Sequence, residues 1–198
     1  MESVVNDVLF PRDRDVDDET PGRHQFLNII GKTKPMQEIF SLIRRVSKTD
    51  ANILVLGESG TGKELVARLI HKKSIRHSFP FIIASCATLS PERVEKILFG
   101  WNNLTDKNNT NNSNVGLFEQ ANHGTLFFDE ICDLPLETQG KLVQAIQDQS
   151  FYKIDSNNKV HVDVRIISAS NQNLLKSIEK GILREDLFYR LSVVPIEL

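Results

Sequence analysis

Gly57-Glu58-Ser59-Gly60-Thr61-Gly62-Lys63 puts three glycines, two hydroxyls and one ammonium between an apolar run and a helical pattern. Glycines let backbone N–H groups close around an anion, and the start of a helix adds partial positive charge. Lys63 would bring a full charge to the outer phosphates of a nucleotide. The chemistry is that of a polyphosphate cradle, and it predicts ATP or GTP binding by Gly57, Glu58, Ser59, Gly60, Thr61, Gly62, Lys63 and Glu64. Position 64 is Glu where such loops carry Ser or Thr to hold magnesium. A carboxylate there either holds the metal through water or points away from it.

A second group follows in Gly124-Thr125-Leu126-Phe127-Phe128-Asp129-Glu130, an apolar run closing on two carboxylates. In a parallel sheet, ligands gather at the carboxyl ends of strands. Asp129 there would hold Mg2+, and Glu130 would orient or deprotonate an attacking water. Alone, such a pair is equally an ordinary strand-to-turn transition. Beside a phosphate loop, it reads as the second half of a site.

The elements that must position these groups alternate along the chain. Ile53–Leu56 reads as a buried strand, and Leu65, Val66, Leu69 and Ile70 recur at helical spacing. Pro35 suits the first turn of a helix with Met36, Ile39, Phe40, Ile43 and Val46 on its apolar stripe. Phe81–Ala84 is a second buried strand. Ser90 and Pro91 open a short helix presenting Val94, Ile97 and Leu98. After the strand at 125–129, a helix runs through Leu142, Val143 and Ile146. Val160, Val162, Val164 and Ile166 alternate as one strand continuing into Ala169. Helical segments at 172–180 and 184–190 precede a last strand, Val193–Glu197. This alternation predicts an α/β fold with a mostly parallel sheet sandwiched by helices.

Two segments stand apart. Residues 1–25 read as a linker or disordered tail, charged and without periodicity from Pro11 to Glu19. From Trp101 to Asn114, seven of fourteen residues are Asn, which predicts an exposed, mobile loop rather than a helix or ladder.

Composition excludes several classes. A net charge of −2 offers no global attraction to nucleic acid. Arg44-Arg45 and Lys72-Lys73 read as solvated helix faces. Cys86 and Cys132 form no CxxC and suit reduced core positions. His71 and His77 read as surface residues rather than ligands. No apolar run is long enough for a membrane span and no signal segment opens the chain, so a cytoplasmic location is expected.

Over about 26–198, these motifs together resemble the central AAA+ ATPase domain of NtrC-type, sigma-54-dependent transcriptional activators. GESGTGKELVARLIH at 57–71 is similar to their Walker A, including the Glu after Lys. GTLFFDEICDLPLETQGKL at 124–142 is similar to their Walker B segment. VDVRIISASNQNL at 162–174 resembles the sensor I strand, which puts Asn171 near the γ-phosphate. LREDLFYRL at 183–191 resembles the arginine-finger helix, which makes Arg184 and Arg190 fingers toward a neighbouring subunit's nucleotide. Such a residue is worth roughly a thousandfold or more, about 4 kcal/mol. The plainer reading is that both arginines pair with nearby acids such as Glu185 or Asp186. The resemblance implies a P-loop NTPase fold, ATP and Mg2+ as cofactors, and a homo-oligomeric ring.

Three departures bear on function. The family's Gly-Ala-Phe-Thr-Gly-Ala contact loop is replaced at 101–109 by Trp-Asn-Asn-Leu-Thr-Asp-Lys-Asn-Asn. The Asn that couples the Walker B Glu to that loop appears as Ser85. The helical lid, a receiver domain and a DNA-reading element are not found within residues 1–198, so any DNA contact is expected from a domain outside this chain. SPERVEKILFG and RLSVVPI resemble the NtrX branch, which also lacks the contact motif. The expectation is an ATP-binding module of an NtrX-like two-component regulator, shortened, that does not remodel sigma-54 polymerase. The alternatives are an active ATPase driving sigma-54-dependent transcription, and an inactive remnant.

Overall fold

Four consecutive branched residues with no polar break make Ile53–Leu56 (β3) a strand buried on both faces. The structure, a computed structural model, describes residues 25–26, 29–30, 33–102, 113–157 and 159–198. It divides into two units, Met1–Lys32 and Thr33–Leu198. In the first, β1 (Gln25–Phe26) pairs antiparallel with β2 (Ile29–Ile30). Apart from Gln25, the linker expected over 1–25 lies outside the described residues.

The second unit holds a five-stranded sheet of order β11-β3-β10-β7-β4, parallel throughout. Its other strands are β4 (Phe81–Ser85), β7 (Thr125–Asp129), β10 (Arg165–Ser170) and β11 (Val194–Glu197). Helices α1 (Lys34–Val46), α2 (Lys63–Lys72), α3 (Pro91–Phe99), α4 (Leu117–Gln120), α5 (Leu136–Asp148), α6 (Leu174–Glu179) and α7 (Glu185–Leu191) connect them. Pro35 sits in the first turn of α1, which buries Phe40, Ile43 and Val46. Each such side chain removed from water is worth roughly 1.5–3 kcal/mol. Asn173 caps α6 by accepting the Lys176 N–H at 3.1 Å.

An aromatic cluster backs the acidic strand. Phe118 lies 5.5 Å from Phe99, 5.6 Å from Phe151 and 6.2 Å from Phe128, centroid to centroid. It ties β7 to α3, α4 and β8 (Ser150–Tyr152). At the far end of the sheet, Arg165 is 1% exposed and donates to the Val46 and Ser47 carbonyls at 2.8 and 3.4 Å. A cation there adds a long-range donor to the C-terminal carbonyls of α1, of which Val46 also accepts from Thr49, and matches the helix dipole.

One expected strand is two. Lys159–His161 (β9) folds back on β8 as an antiparallel pair, and β10 begins only at Arg165. Asp163 causes the break. Its N–H donates to Asn122 Oδ1 at 2.8 Å, and its carboxylate meets Arg76 Nη2 at 2.7 Å. Those long-range ties turn the chain where alternation alone continues it. The Asn-rich segment is framed by β5 (Trp101–Asn102) and β6 (Ser113–Asn114), paired antiparallel. At its neck, a Cβ on Gly116 would lie 2.4 Å from the Gly100 nitrogen, so the two chains meet at glycines. The loop expected there falls, at residues 103–112, outside the described residues. Among the described residues, no helix is long and apolar enough to cross a membrane.

Candidate nucleotide site

The loops after β3, β10 and β7 emerge on one edge of the sheet because the three strands are parallel neighbours. The first, residues 57–62, turns sharply through Gly60 at φ 83° and Gly62 at φ 90°, backbone that side chains with a Cβ avoid. Gly62 then starts α2. The Thr61 N–H turns back onto the Glu58 carbonyl at 3.3 Å, whereas the Gly60 and Gly62 amides donate to no backbone carbonyl among the described residues. Unspent amides at a helix start are what an anion needs.

Lys63 is 7% exposed, and its Nζ donates to the carbonyls of Gly57 at 3.0 Å and Glu58 at 3.1 Å. Glu130 Oε1 lies 3.3 Å from the same nitrogen. The ammonium is folded into the mouth of its own loop, held by the carboxylate across the cleft. Glu130 Oε2 accepts the Asn171 N–H at 2.9 Å. Glu130 itself sits at φ 57°, a left-handed turn that aims its side chain back toward the loop. The cradle, the second carboxylate of the acidic pair and the turn after β10 therefore meet.

Asp129 ends β7 beside Ser85 of β4 in register. Burial raises its pKa, as does Glu130, while Lys63 pulls it down. A carboxylate that is costly to leave charged suits a cation brought in with phosphates. Among the described residues, no group of three or more His, Cys, Asp or Glu is arranged to hold a metal ion. Magnesium commonly takes one or two carboxylates plus substrate phosphates and water, so a single aspartate here fits. Glu64 points away: it pairs with Arg68 at 2.8 Å, one turn on, and is half-exposed. The Thr61 hydroxyl is spent on the Glu58 carbonyl at 2.9 Å.

The two arginines of 184–190 do not join this group. Arg184 makes two hydrogen bonds to Asp186, at 3.0 and 2.8 Å, and holds that carboxyl below its usual range. Its backbone N–H donates to Gln139. Arg190 is exposed on α7, and its carbonyl accepts from Asn52 at 2.9 Å.

Sequence reasoning passed over several groups. His71 is buried rather than surface, with Nδ1 2.9 Å from the Thr125 hydroxyl, because the last turn of α2 packs on the start of β7. Its pKa is lowered, chiefly by burial. Asp133 lies beside Glu130, its pKa raised by burial and by that neighbour. The Asp-Glu-x-x-Asp spacing was the signal available for it. Cys86 and Cys132 are buried free thiols, as expected, and Cys132 Sγ lies 3.6 Å from Ser170 Oγ.

The sigma-54 interaction domain matches residues 29–197. The nitrogen assimilation regulatory protein NtrX of Azorhizobium caulinodans is 43% identical over 168 residues, covering 85% of this chain and 36% of its own length. The DNA-binding transcriptional regulator NtrC of Escherichia coli K12 is 43% identical over 171 residues, 86% of this chain and 36% of its own. Crystal structures of NtrX from Brucella abortus with ADP and with ATP superpose with a TM-score of 0.79 at 44% and 43% identity. Each covers 85% of this chain and 36% of that protein. The chain thus spans about a third of the length of the relatives it matches. Cradle, acidic strand and the turn after β10 all fall inside the matched stretch, and the chain belongs to the sigma-54 interaction family of AAA+ P-loop NTPase domains.

Proposed function

We infer that this chain is the ATP-binding module of an NtrX-like two-component transcription regulator, with nucleotide controlling assembly rather than driving sigma-54 remodelling. One observation carries the reading: a buried ammonium at the mouth of a loop with unspent amides, facing Asp129 and Glu130. Residues 57–63 would take the phosphates and Asp129 the Mg2+, which when bound would screen phosphate charge. The binding of ATP and ADP by Brucella abortus NtrX supports the same ligands here.

Two features support a role apart from remodelling. Segment 101–109 lacks the family's glycine-hinged apolar tip. Ser85 stands where an Asn would reach Glu130, and Glu130 instead spends its oxygens on Lys63 and the Asn171 N–H. DNA contact would belong to the part of the relatives' length that this chain does not span; the exposed Arg184 and Arg190 support a ring of copies, and the likeness to transcription regulators supports a cytoplasmic location.

Calorimetry with ATP and ADP tests the reading. The wild type binds both, and Lys63→Ala binds at least about 30-fold more weakly, a loss of about 2 kcal/mol. No heat of binding from the wild type would overturn it.

A second reading, an active ATPase, draws on the Glu130 carboxylate being already oriented by two donors. Asn171 and the fingers Arg184 and Arg190 would then complete the reaction between subunits.

A further inference from the structure

Gln139 is 0% exposed, in the first turns of α5, and uses its whole carboxamide. Nε2 donates to the Leu134 carbonyl at 2.8 Å and to the Ile182 carbonyl at 2.8 Å. Oε1 accepts the Arg184 N–H at 2.9 Å. Leu134 ends the turn that begins at Glu130, and its N–H donates to Ile131 within that turn. One buried side chain therefore binds the backbone of the acidic turn on one side and the backbone at Arg184 on the other. The Arg184 guanidinium continues along the same helix. Its Nη1 would lie 3.4 Å from a Cβ at Gly140, so both ends of the arginine rest on α5.

A satisfied buried amide is commonly no more than part of the packing, and Gln139 would then be one more core polar group. Its partners speak for more. Of the three backbone groups it joins, two lie just before α7, where Arg184 is the N-cap residue and its side chain is exposed. The third belongs to the turn carrying this subunit's own Glu130.

We propose that Gln139 is a positioning residue that locks Arg184 to the Glu130–Leu134 turn, so that a subunit's own nucleotide site and the arginine it offers its neighbour move as one piece. The catalytic arm of this proposal rests on the reading of Arg184 as an intersubunit finger; the mechanical arm does not.

Gln139→Glu keeps the volume and the acceptor for Arg184 N–H but removes both donors. Peptide-resolved hydrogen exchange on the nucleotide-free chain reads the mechanical arm. Amides 182–186 should exchange at least about tenfold faster in the variant, while β3, β7 and β10 keep wild-type protection. Unchanged exchange at 182–186 overturns the proposal whatever the turnover. Should the variant lose protection throughout, Gln139→Met with the same comparison replaces it, and global loss in both overturns the proposal in favour of a packing role.

Subunit mixing reads the catalytic arm. Gln139→Glu alone should lose at least about tenfold in kcat with KM for ATP unchanged. Lys63→Ala alone is inactive but carries an intact finger. Mixed, the two should regain turnover, because Gln139→Glu sites then sit beside sound fingers. No recovery on mixing, with β3, β7 and β10 at wild-type protection, would overturn the coupling. A wild type without turnover, combined with local loss of protection at 182–186, would leave the lock standing and remove the finger reading instead.

Discussion

Lys63 and Glu130 compete for the same geometry that a nucleotide's outer phosphate would need. The ammonium is held at 3.3 Å by the carboxylate and at about 3 Å by two loop carbonyls, so an arriving anion must displace contacts already made. Glu130→Gln removes the ion pair but keeps an acceptor for the Asn171 N–H. It should lower ATP turnover by about a hundredfold or more, about 3 kcal/mol, in a phosphate-release assay. ATP affinity by calorimetry should be equal or tighter, since Lys63 is freed. Of the residues concerned, those in the loop were legible because glycines, ammonium, strand and helix lie in one contiguous stretch. His71 was not, because its burial depends on Thr125 and Phe81, remote in sequence, with the ring centroids of His71 and Phe81 5.3 Å apart. Gln139 left no mark for the same reason: its partners at 182 and 184 come from the connection between α6 and α7, more than forty residues on.

Strands and helices followed periodicity wherever burial alone decides them, as in β3, β7 and α1. The alternation at 160–166 misled because it runs unbroken across Asp163, and only the ties at Asp163 separate β9 from β10, which is buried throughout. Arg76 is the anchor. It reaches Asp50 at 2.8 Å, Asp163 at 2.7 Å, and the His123 and Asp163 carbonyls at 3.0 and 3.1 Å. The hydrogen bond from Arg76 chiefly holds the Asp163 carboxyl below its ordinary value. A depressed carboxyl contributes stability above its unfolded pKa, and that contribution is lost as pH falls through the folded value. Asp163→Asn should therefore be less stable than wild type at pH 7 by about 1 kcal/mol, the upper end for a half-exposed pair. The two urea midpoints should converge as the pH falls below 3.8, the ordinary value for Asp, and through the lower folded value. A constant gap across that range would assign the effect to packing.

The five-stranded sheet presents its phosphate loop and acidic turn on one edge, while Arg184, the N-cap of α7, and Arg190, within it, are exposed; among the described residues no hydrogen bond or ion pair joins either guanidinium to that edge. A site completed by a neighbour's arginine predicts turnover per subunit that climbs steeply with protein concentration, and Arg184→Ala should lower the plateau roughly a thousandfold. Flat specific activity from low to high concentration would rule out the shared site. Sheet order was legible only as parallel alternation, because which strands become neighbours depends on crossovers that periodicity does not record. That order also dictates a timetable. β3 pairs with β10 and β11, both far later in the chain, and the Gly57 N–H donates to the Ser170 carbonyl at 3.3 Å. At bacterial-like elongation of roughly 5–20 residues per second, Ile53–Leu56 would wait roughly 5–20 seconds on the ribosome for its first partner. Until then its apolar flanks lack the neighbours that bury them, and the Gly57 N–H that opens the phosphate loop lacks the Ser170 carbonyl that holds it; a ligand of that loop would steady the finished chain and not the growing one.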